Sequence, residues 1–271
     1  MSRIGIMQGR LLPPEGNVLQ RFPSSGWAEE FGLAALVPFE YIEWIYDSYG
    51  AEVNPLMNNA VISQLRSLID TTGVAVRSVC ADYFMDYPLL RCQDSAEVLW
   101  RLLDRCQSLG VQRLVLPFVD HSAIRPHEFD PAIEFLHLAS TRAAEAGLEL
   151  HLEMSLLPYD FAELLRQLPE TVMVNYDSGN SASLGYRVED EFAAIGTRVG
   201  SVHIKDRILG AGTVPLGTGN ADFNTLFEHL RKVHYRGDFT LQVARGAEGD
   251  EVNWSRQNRA FLRRYWTEQR A

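Results

Sequence analysis

No stretch of this 271-residue chain approaches the ~18 consecutive apolar residues that a membrane helix needs. The N-terminal MSRIGIMQGRLLP also lacks the charged-then-apolar layout of a secretory signal. A membrane partner is therefore not expected, and a cytoplasmic setting is. Cysteine is scarce: Cys80, Cys92 and Cys106 are odd in number and form no CxxC pair. This argues against a disulfide framework or a thiolate zinc site and for reduced thiols, with Cys80 read as a packing residue before a nucleophile. Positive charge is short as well. The 25 Lys and Arg against 35 Asp and Glu leave a formal net charge of −10, which repels a polyanion, so nucleic acid is not an expected partner; a local basic pocket for one phosphate stays open. The chain also has no Pro/Gly/Ser-rich linker, low-complexity block or long charge run, and no GxGxxG follows its first apolar run.

What remains is an ordinary composition, 46% hydrophobic and 22% charged, arranged with a strong alternation. Eight short runs rich in Val, Ile and Leu read as strands: Ile4–Gln8, Tyr41–Asp47, Val74–Asp82, Arg113–Val119, Leu148–Met154, Val172–Asp177, Val199–Lys205 and Phe239–Val243. Amphipathic stretches follow them at Trp27–Leu36, Asn59–Thr72, Ser95–Leu109, Pro131–Ala146, Tyr159–Leu168, Glu189–Gly196, Asn224–Val233 and Val252–Thr267. Gly73, Gly110 and Gly147 stand where helix C-caps favour glycine. Eight strand-then-helix units in this length predict α/β architecture, a single (β/α)8 TIM barrel domain spanning residues 1–271, since such barrels typically take ~250 residues. A doubly wound open sheet is the alternative fold.

In such a barrel the chemistry sits at the C-terminal ends of the strands. The seventh run, VGSVHIKDR, alternates so that Ser201, His203 and Lys205 share a face. On the fifth, LELHLEM, Glu149, His151 and Glu153 share one, with Glu153 last before the loop. The sixth ends in Asp177 and the eighth carries Gln242. Four consecutive strands thus each present one oxygen or nitrogen ligand, and a mixed carboxylate and imidazole set suits a hard or borderline divalent metal.

These residues carry a resemblance. IMQGRL (Ile6–Leu11), IEW (Ile42–Trp44), LHLEM (Leu150–Met154), YDSGN (Tyr176–Asn180), HIKDR (His203–Arg207) and VPLGTGNADF (Val214–Phe223) are similar to the xylose isomerase-like barrel superfamily, in its sugar phosphate isomerase/epimerase branch. The resemblance spans nearly the whole chain. It implies a divalent metal (Mn, Mg, Co or Zn) held by Glu153, Asp177 and His203, a sugar or sugar phosphate as the small-molecule partner, and glutamates acting as acid and base. Two positions depart from the family pattern: Gln242 stands where the family usually has a second glutamate, and Asn180 where many members have histidine.

Gln242 can ligate through its oxygen, but an amide cannot carry a proton to or from carbon. Epimerisation at one carbon wants two opposed acid/base groups; aldose–ketose interconversion through an enediol runs with one. The sequence therefore favours an isomerase with Glu153 as base and Gln242 or water completing the metal shell. An epimerase is the alternative if Glu43, Asp82 or Asp206 supplies the second group. The substrate-contact set is Gln8, Arg10, Glu43, Asn180, Lys205, Asp206, Arg207 and Arg245, with Asp82 and His151 as further pocket residues and Trp44, Tyr83, Phe84 and Phe118 as aromatic walls. The glycine-rich segment Ile208–Ala221 reads as a lid, or as a connection whose Asn220 or Asp222 caps the next helix. Other readings are a metal-poor member that binds a polar small molecule without isomerase activity, a polyol dehydratase and, against the charge balance, an AP-endonuclease-like phosphodiesterase. Homo-oligomerisation is left open.

Overall fold

The computed structural model describes residues 2–16 and 18–266. Eight parallel strands close into a barrel: β1 (Ile4–Met7), β2 (Tyr41–Ile45), β3 (Ala75–Cys80), β4 (Arg113–Phe118), β5 (Glu149–Met154), β6 (Val172–Asp177), β7 (Val199–Ile204) and β10 (Asp238–Leu241). The two-residue strands β8 (Asp206–Arg207) and β9 (Thr213–Val214) form an antiparallel ribbon outside the closed sheet. The barrel order β1-β10-β7-β6-β5-β4-β3-β2 follows the chain round once, as short right-handed crossovers require. The fold is a (β/α)8 TIM barrel. Several expected runs extend one or two residues past the last ladder pair, and those residues (Gln8, Asp47, Asp82, Val119, Lys205, Val243) stand where the chain leaves the sheet at the barrel mouth.

The helices are α1 (Glu29–Leu36), α2 (Asn59–Thr72), α3 (Tyr83–Asp86), α4 (Ser95–Leu109), α5 (Phe129–Glu145), α6 (Pro158–Arg166), α7 (Ser178–Leu184), α8 (Val188–Ile195), α9 (Phe223–Lys232) and α10 (Glu251–Tyr265). The apolar faces of α4 (Leu99, Leu102, Leu103, Cys106) and α9 (Leu226, Phe227, Leu230) pack against the sheet. Each such side chain contributes about 1.5–3 kcal/mol on burial. Helices α2 and α4 end on Gly73 and Gly110 at φ 71° and 69°, a conformation that glycine adopts without a Cβ clash. Helix α5 begins two residues before the expected Pro131, because proline in a first turn gives up no helical hydrogen bond. The last residue of the final expected helix, Thr267, lies outside the described residues.

Two helices were invisible to periodicity. Helix α3 is a single turn, and α7 (SGNSASL) has almost no apolar residues to repeat. Helix α7 forms because Asp177, at the end of β6, accepts from the backbone N–H groups of Gly179 and Asn180. The expected aromatic walls lie elsewhere. Trp44 is fully buried among Phe22, Trp27 and Phe31, Phe84 and Phe118 are core, and Tyr83 stacks on Tyr87.

Candidate metal centre and cavity

At the C-terminal ends of β5, β6 and β7, Glu153, Asp177 and His203 each offer a ligand atom, and these atoms lie within 4.8 Å of one another. Asp177 and His203 are partners in the β6–β7 ladder, so the pleat turns both inward side by side. The ladder slips just before them, at Val174/Asn175, where β7 carries Gly200 as an extra residue, and the slip sets Asn175 opposite Ser201. Asp177 spends Oδ1 on the cap of α7 and keeps Oδ2 for the site, 3.4 Å from Lys205 Nζ and 4.0 Å from His203 Nδ1.

Both oxygens of Glu153 accept hydrogen bonds, Oε2 from Asn175 Nδ2 (2.8 Å) and Oε1 from Asn180 Nδ2 (2.7 Å). Each amide is held in that sense from behind. Asn175 Oδ1 accepts from Ser201 Oγ (2.6 Å), and Asn180 Oδ1 accepts from Arg207 Nη1 (2.9 Å) and Lys205 Nζ (3.3 Å), cations that can only donate. Both Glu153 oxygens thus act as hydrogen-bond acceptors. A Cβ at Gly179 would meet the Lys205 stem at 2.6 Å, so glycine there lets Lys205 lie across the start of α7 toward Asp177.

Behind the cluster, His203 Nε2 donates to Glu43 Oε1 at 2.5 Å, both side chains being fully buried. Thr240 Oγ1 donates to the other oxygen of Glu43 (3.1 Å) and in turn takes the Tyr41 hydroxyl proton (2.8 Å). Burial alone pushes the Glu43 carboxyl up and the His203 imidazole down, but the opposite charges override it, holding Glu43 below and His203 above their usual ranges. This carboxylate–imidazole pair fixes which ring nitrogen faces the cluster. That nitrogen, Nδ1, makes no well-directed hydrogen bond among the described residues but lies within ion-pair distance of Glu153 Oε2 (3.2 Å) and Asp177 Oδ2 (4.0 Å).

The opposite side of the mouth is built from amides. Arg10 donates from Nε to Val243 O, from Nη1 to Leu19 O and from Nη2 to Gln20 Oε1 (3.1 Å). Because arginine only donates, Gln20 must turn Oε1 toward it and Nε2 toward Asp82, whose Oδ2 accepts at 2.6 Å. Gln242 Nε2 then donates to Gln20 Oε1 (2.9 Å), and the buried Gln242 Oε1 makes no hydrogen bond among the described residues. Between the two sides lies a cavity of about 280 Å³.

Of the expected site residues, Arg10, Glu153, Asn180, Lys205, Arg207 and Gln242 line this cavity. Asp177 and His203 are buried beside it, each in contact with Glu153 or Lys205. Four others do not reach it. Gln8 is fully buried, its Oε1 accepting from Ile45 N; Glu43 sits under His203. Asp206 is turned to the far face of its strand and accepts from the backbone N–H groups of Gly217, Gly219 and Ala221. Segment 208–221 is therefore pinned down rather than hinged as a lid, and Asp222 caps α9. Arg245 donates to Leu19 O and Leu12 O, holding the loop that carries Gln20. His151 lies deeper in the barrel between Ser201 and Glu149.

The xylose isomerase-like TIM barrel family model matches residues 31–265. The chain belongs to this family. It is 26% identical over 244 residues to a putative L-ribulose-5-phosphate 3-epimerase SgbU of Haemophilus influenzae, covering 80% of this chain and 83% of that protein. Among solved structures it is similar to an L-ribulose 3-epimerase (18% identity, TM-score 0.74, covering 98% of this chain and 94% of that one). It is also similar to the IOLI protein with a binding zinc atom (14% identity, TM-score 0.76, covering 98% and 100%).

Within this family barrel, two contributors were missed in the sequence. Gln20 lies in an irregular loop and carries no signal. Asn175 looks like an ordinary strand-end polar residue; the alternation of VMVNYD, which puts Asn175 on the Asp177 face, is the one clue that could have found it. The donor set suits a divalent cation: two carboxylates, an imidazole nitrogen facing them and, from Gln242, a buried amide oxygen that makes no hydrogen bond among the described residues.

Proposed function

We propose that this chain is a divalent-metal-dependent sugar phosphate epimerase that inverts a carbon next to a ketose carbonyl. The observation that carries the reading is the convergence of Glu153, Asp177 and His203 on one point, with Glu153 also lining the cavity. The relatedness to a putative ketopentose phosphate 3-epimerase supplies the substrate class. Glu153, Asp177 and His203 would hold the ion, and Gln242, which lines the same cavity, would offer its amide oxygen as a neutral fourth donor. When bound, the ion supplies Lewis-acid polarisation of the carbonyl and its neighbouring hydroxyl. Glu153 removes the proton from the carbon next to that carbonyl, and the electron pair passes into an enediolate. Lys205 and Arg207, at the rim beside Asn180, are placed to take the phosphate. Chirality is lost at the enediolate and is inverted when a proton returns to the opposite face.

The sequence alone favoured isomerisation, because Gln242 removes a base; the family relatives and a second carboxyl on the cavity wall favour epimerisation. One observation favours a metal-free binder of polar ligands: the Lys205 ammonium, 3.4 Å from Asp177, already brings a positive charge to the cluster. Elemental analysis of the purified protein, combined with NMR of L-ribulose 5-phosphate incubated with and without chelator, separates these. We expect near-stoichiometric metal and the 3-epimer, lost on chelation. An aldose product would sink the epimerase reading, and metal-free protein with no turnover after metal addition would favour the binder.

A further inference from the structure

We propose that Asp82 is the second catalytic acid/base, opposing Glu153 across the cavity and doing the work that Gln242 cannot. The inference rests on the epimerase reading. An inverting enzyme must deliver a proton to the face of the enediolate opposite the one that lost it, and an amide at position 242 has none to give. Among the titratable side chains that line the cavity, Lys205 is paired with Asp177 and Asn180 and the Cys80 thiol donates to Asp82, so a carboxyl is the group to assign.

The other carboxyls are accounted for. Glu43 and Asp206 are fully buried and committed to His203 and to the 217–221 backbone. Asp47 spends Oδ2 on Phe22 N (2.7 Å) and Oδ1 on Gly50 N (2.9 Å), which makes it a loop anchor. Asp86 takes the Ser48 hydroxyl, and Asp120 stands exposed on the rim. Asp82 differs from all of these. It follows β3, lines the cavity and directly precedes helix α3, yet its side chain does not cap that helix. Instead Oδ2 accepts from Gln20 Nε2 and Oδ1 from Cys80 Sγ (3.1 Å).

The placement suits the role. In the barrel order β4 alone separates β3 from β5, and Pro117 on β4 and Val119 just after it line the same cavity as the two carboxyls. Asp82 and Glu153 line the same cavity of about 280 Å³ and share no hydrogen bond. Through Gln20, Asp82 is one amide away from Gln242, the position where the resemblance expects a glutamate. Burial, assisted by the Glu153 and Asp47 charges and opposed by the Gln20 and Cys80 hydrogen bonds, raises the Asp82 carboxyl to about 6, so a protonated fraction is present near neutrality.

The step balances as two proton transfers. Glu153 breaks the C–H bond and keeps the proton while the electron pair enters the enediolate. That pair then forms the new C–H bond with the proton of Asp82, which is left as a carboxylate. Solvent resets both groups, and the reverse reaction exchanges their roles.

The test uses Asp82→Asn, nearly isosteric, with added manganese, on L-ribulose 5-phosphate and on its 3-epimer, each deuterated at C3. Inversion should fall by ~10²-fold or more. Deuterium should still wash out of one epimer, because Glu153 can remove and return a proton on its own face, and should be retained in the other. Washout from one epimer also shows that the variant is folded and loaded. Inversion near the wild-type rate, or exchange kept or lost in both epimers alike, overturns the assignment. A wild-type protein that neither inverts nor exchanges either epimer overturns the epimerase reading instead.

Discussion

The two sides of the barrel mouth are built on different chemistry. Along β5, β6 and β7 the side chains are ionic: two carboxylates and an imidazole converge, backed by buried Glu43 and faced by Lys205. Along β10, β1 and β3 the contacts run through amides, with Arg10, Gln20 and Gln242 in one hydrogen-bonded string that ends on Asp82. On the ionic side the carboxylates of Glu153 and Asp177 meet the His203 imidazole and the Lys205 ammonium at ion-pair distance, a mixed donor set of the kind that suits a divalent cation. On the amide side, a donor-only arginine sets the direction of every amide by geometry, and one carboxyl is pushed toward its neutral form. It is organised to orient and to exchange a proton.

The largest loss comes from neutralising the ionic side at the cavity. Glu153→Gln should lower kcat by ~10³-fold, within the usual range for removing a general base, as followed by NMR of the epimerised product. Wild-type turnover in this variant would erase the distinction between the two sides. A smaller effect is expected one layer back. Glu43→Gln keeps an acceptor for His203 Nε2 but removes its charge, and should weaken metal affinity by about 10–100-fold, read by chelator competition, with turnover recovering at high metal concentration. Unchanged affinity would show that Glu43 serves packing alone.

The smallest effect lies behind the amide side, at Glu30. This fully buried carboxyl accepts from Leu11 N, and burial pushes it up to about 7, against opposing hydrogen bonds from Gly9 and Leu11 and the Arg10 and Arg245 charges. The folded protein then binds more protons than the unfolded chain between about pH 4.5 and 7, so stability is full below that window and falls as pH rises through it. Glu30→Gln should raise the melting temperature by a few degrees at pH 8 and change little at pH 5. An equal shift at both pH values would show that the gain comes from packing.

Much of this molecule was legible in one dimension. The eight apolar runs and their helices map onto the barrel with small boundary shifts, because burial of alternate or periodic faces is written into residue order. The cluster of Glu153, Asp177 and His203 was legible for the same reason: the pleat assigns each to the inward face, and the barrel brings adjacent strand ends together. Asp206 shows the limit. It lies in the same HIKDR segment as His203 but on the opposite pleat, and only the folded chain reveals that its partners are amides more than ten residues downstream. Arg10 and Arg245 read as substrate contacts because an arginine at a strand end fits that role; the structure shows them holding loop carbonyls, a use that depends on where the 11–22 loop comes to rest.

The sequence by itself determined the barrel, the order of its strands and the residue types at their ends, because periodic burial and strand alternation are local properties. Tertiary structure alone decided which polar atoms are satisfied and which stay free. Among the described residues Gln242 Oε1 makes no hydrogen bond, His203 Nδ1 faces Glu153 and Asp177, and Asp82 lines the cavity because distant segments supply Arg10, Gln20 and Glu43 at hydrogen-bonding distance. Hydrogen bonding is short-ranged and directional, so its outcome depends on contacts between residues that can lie more than two hundred positions apart, as Gln20 and Gln242 do.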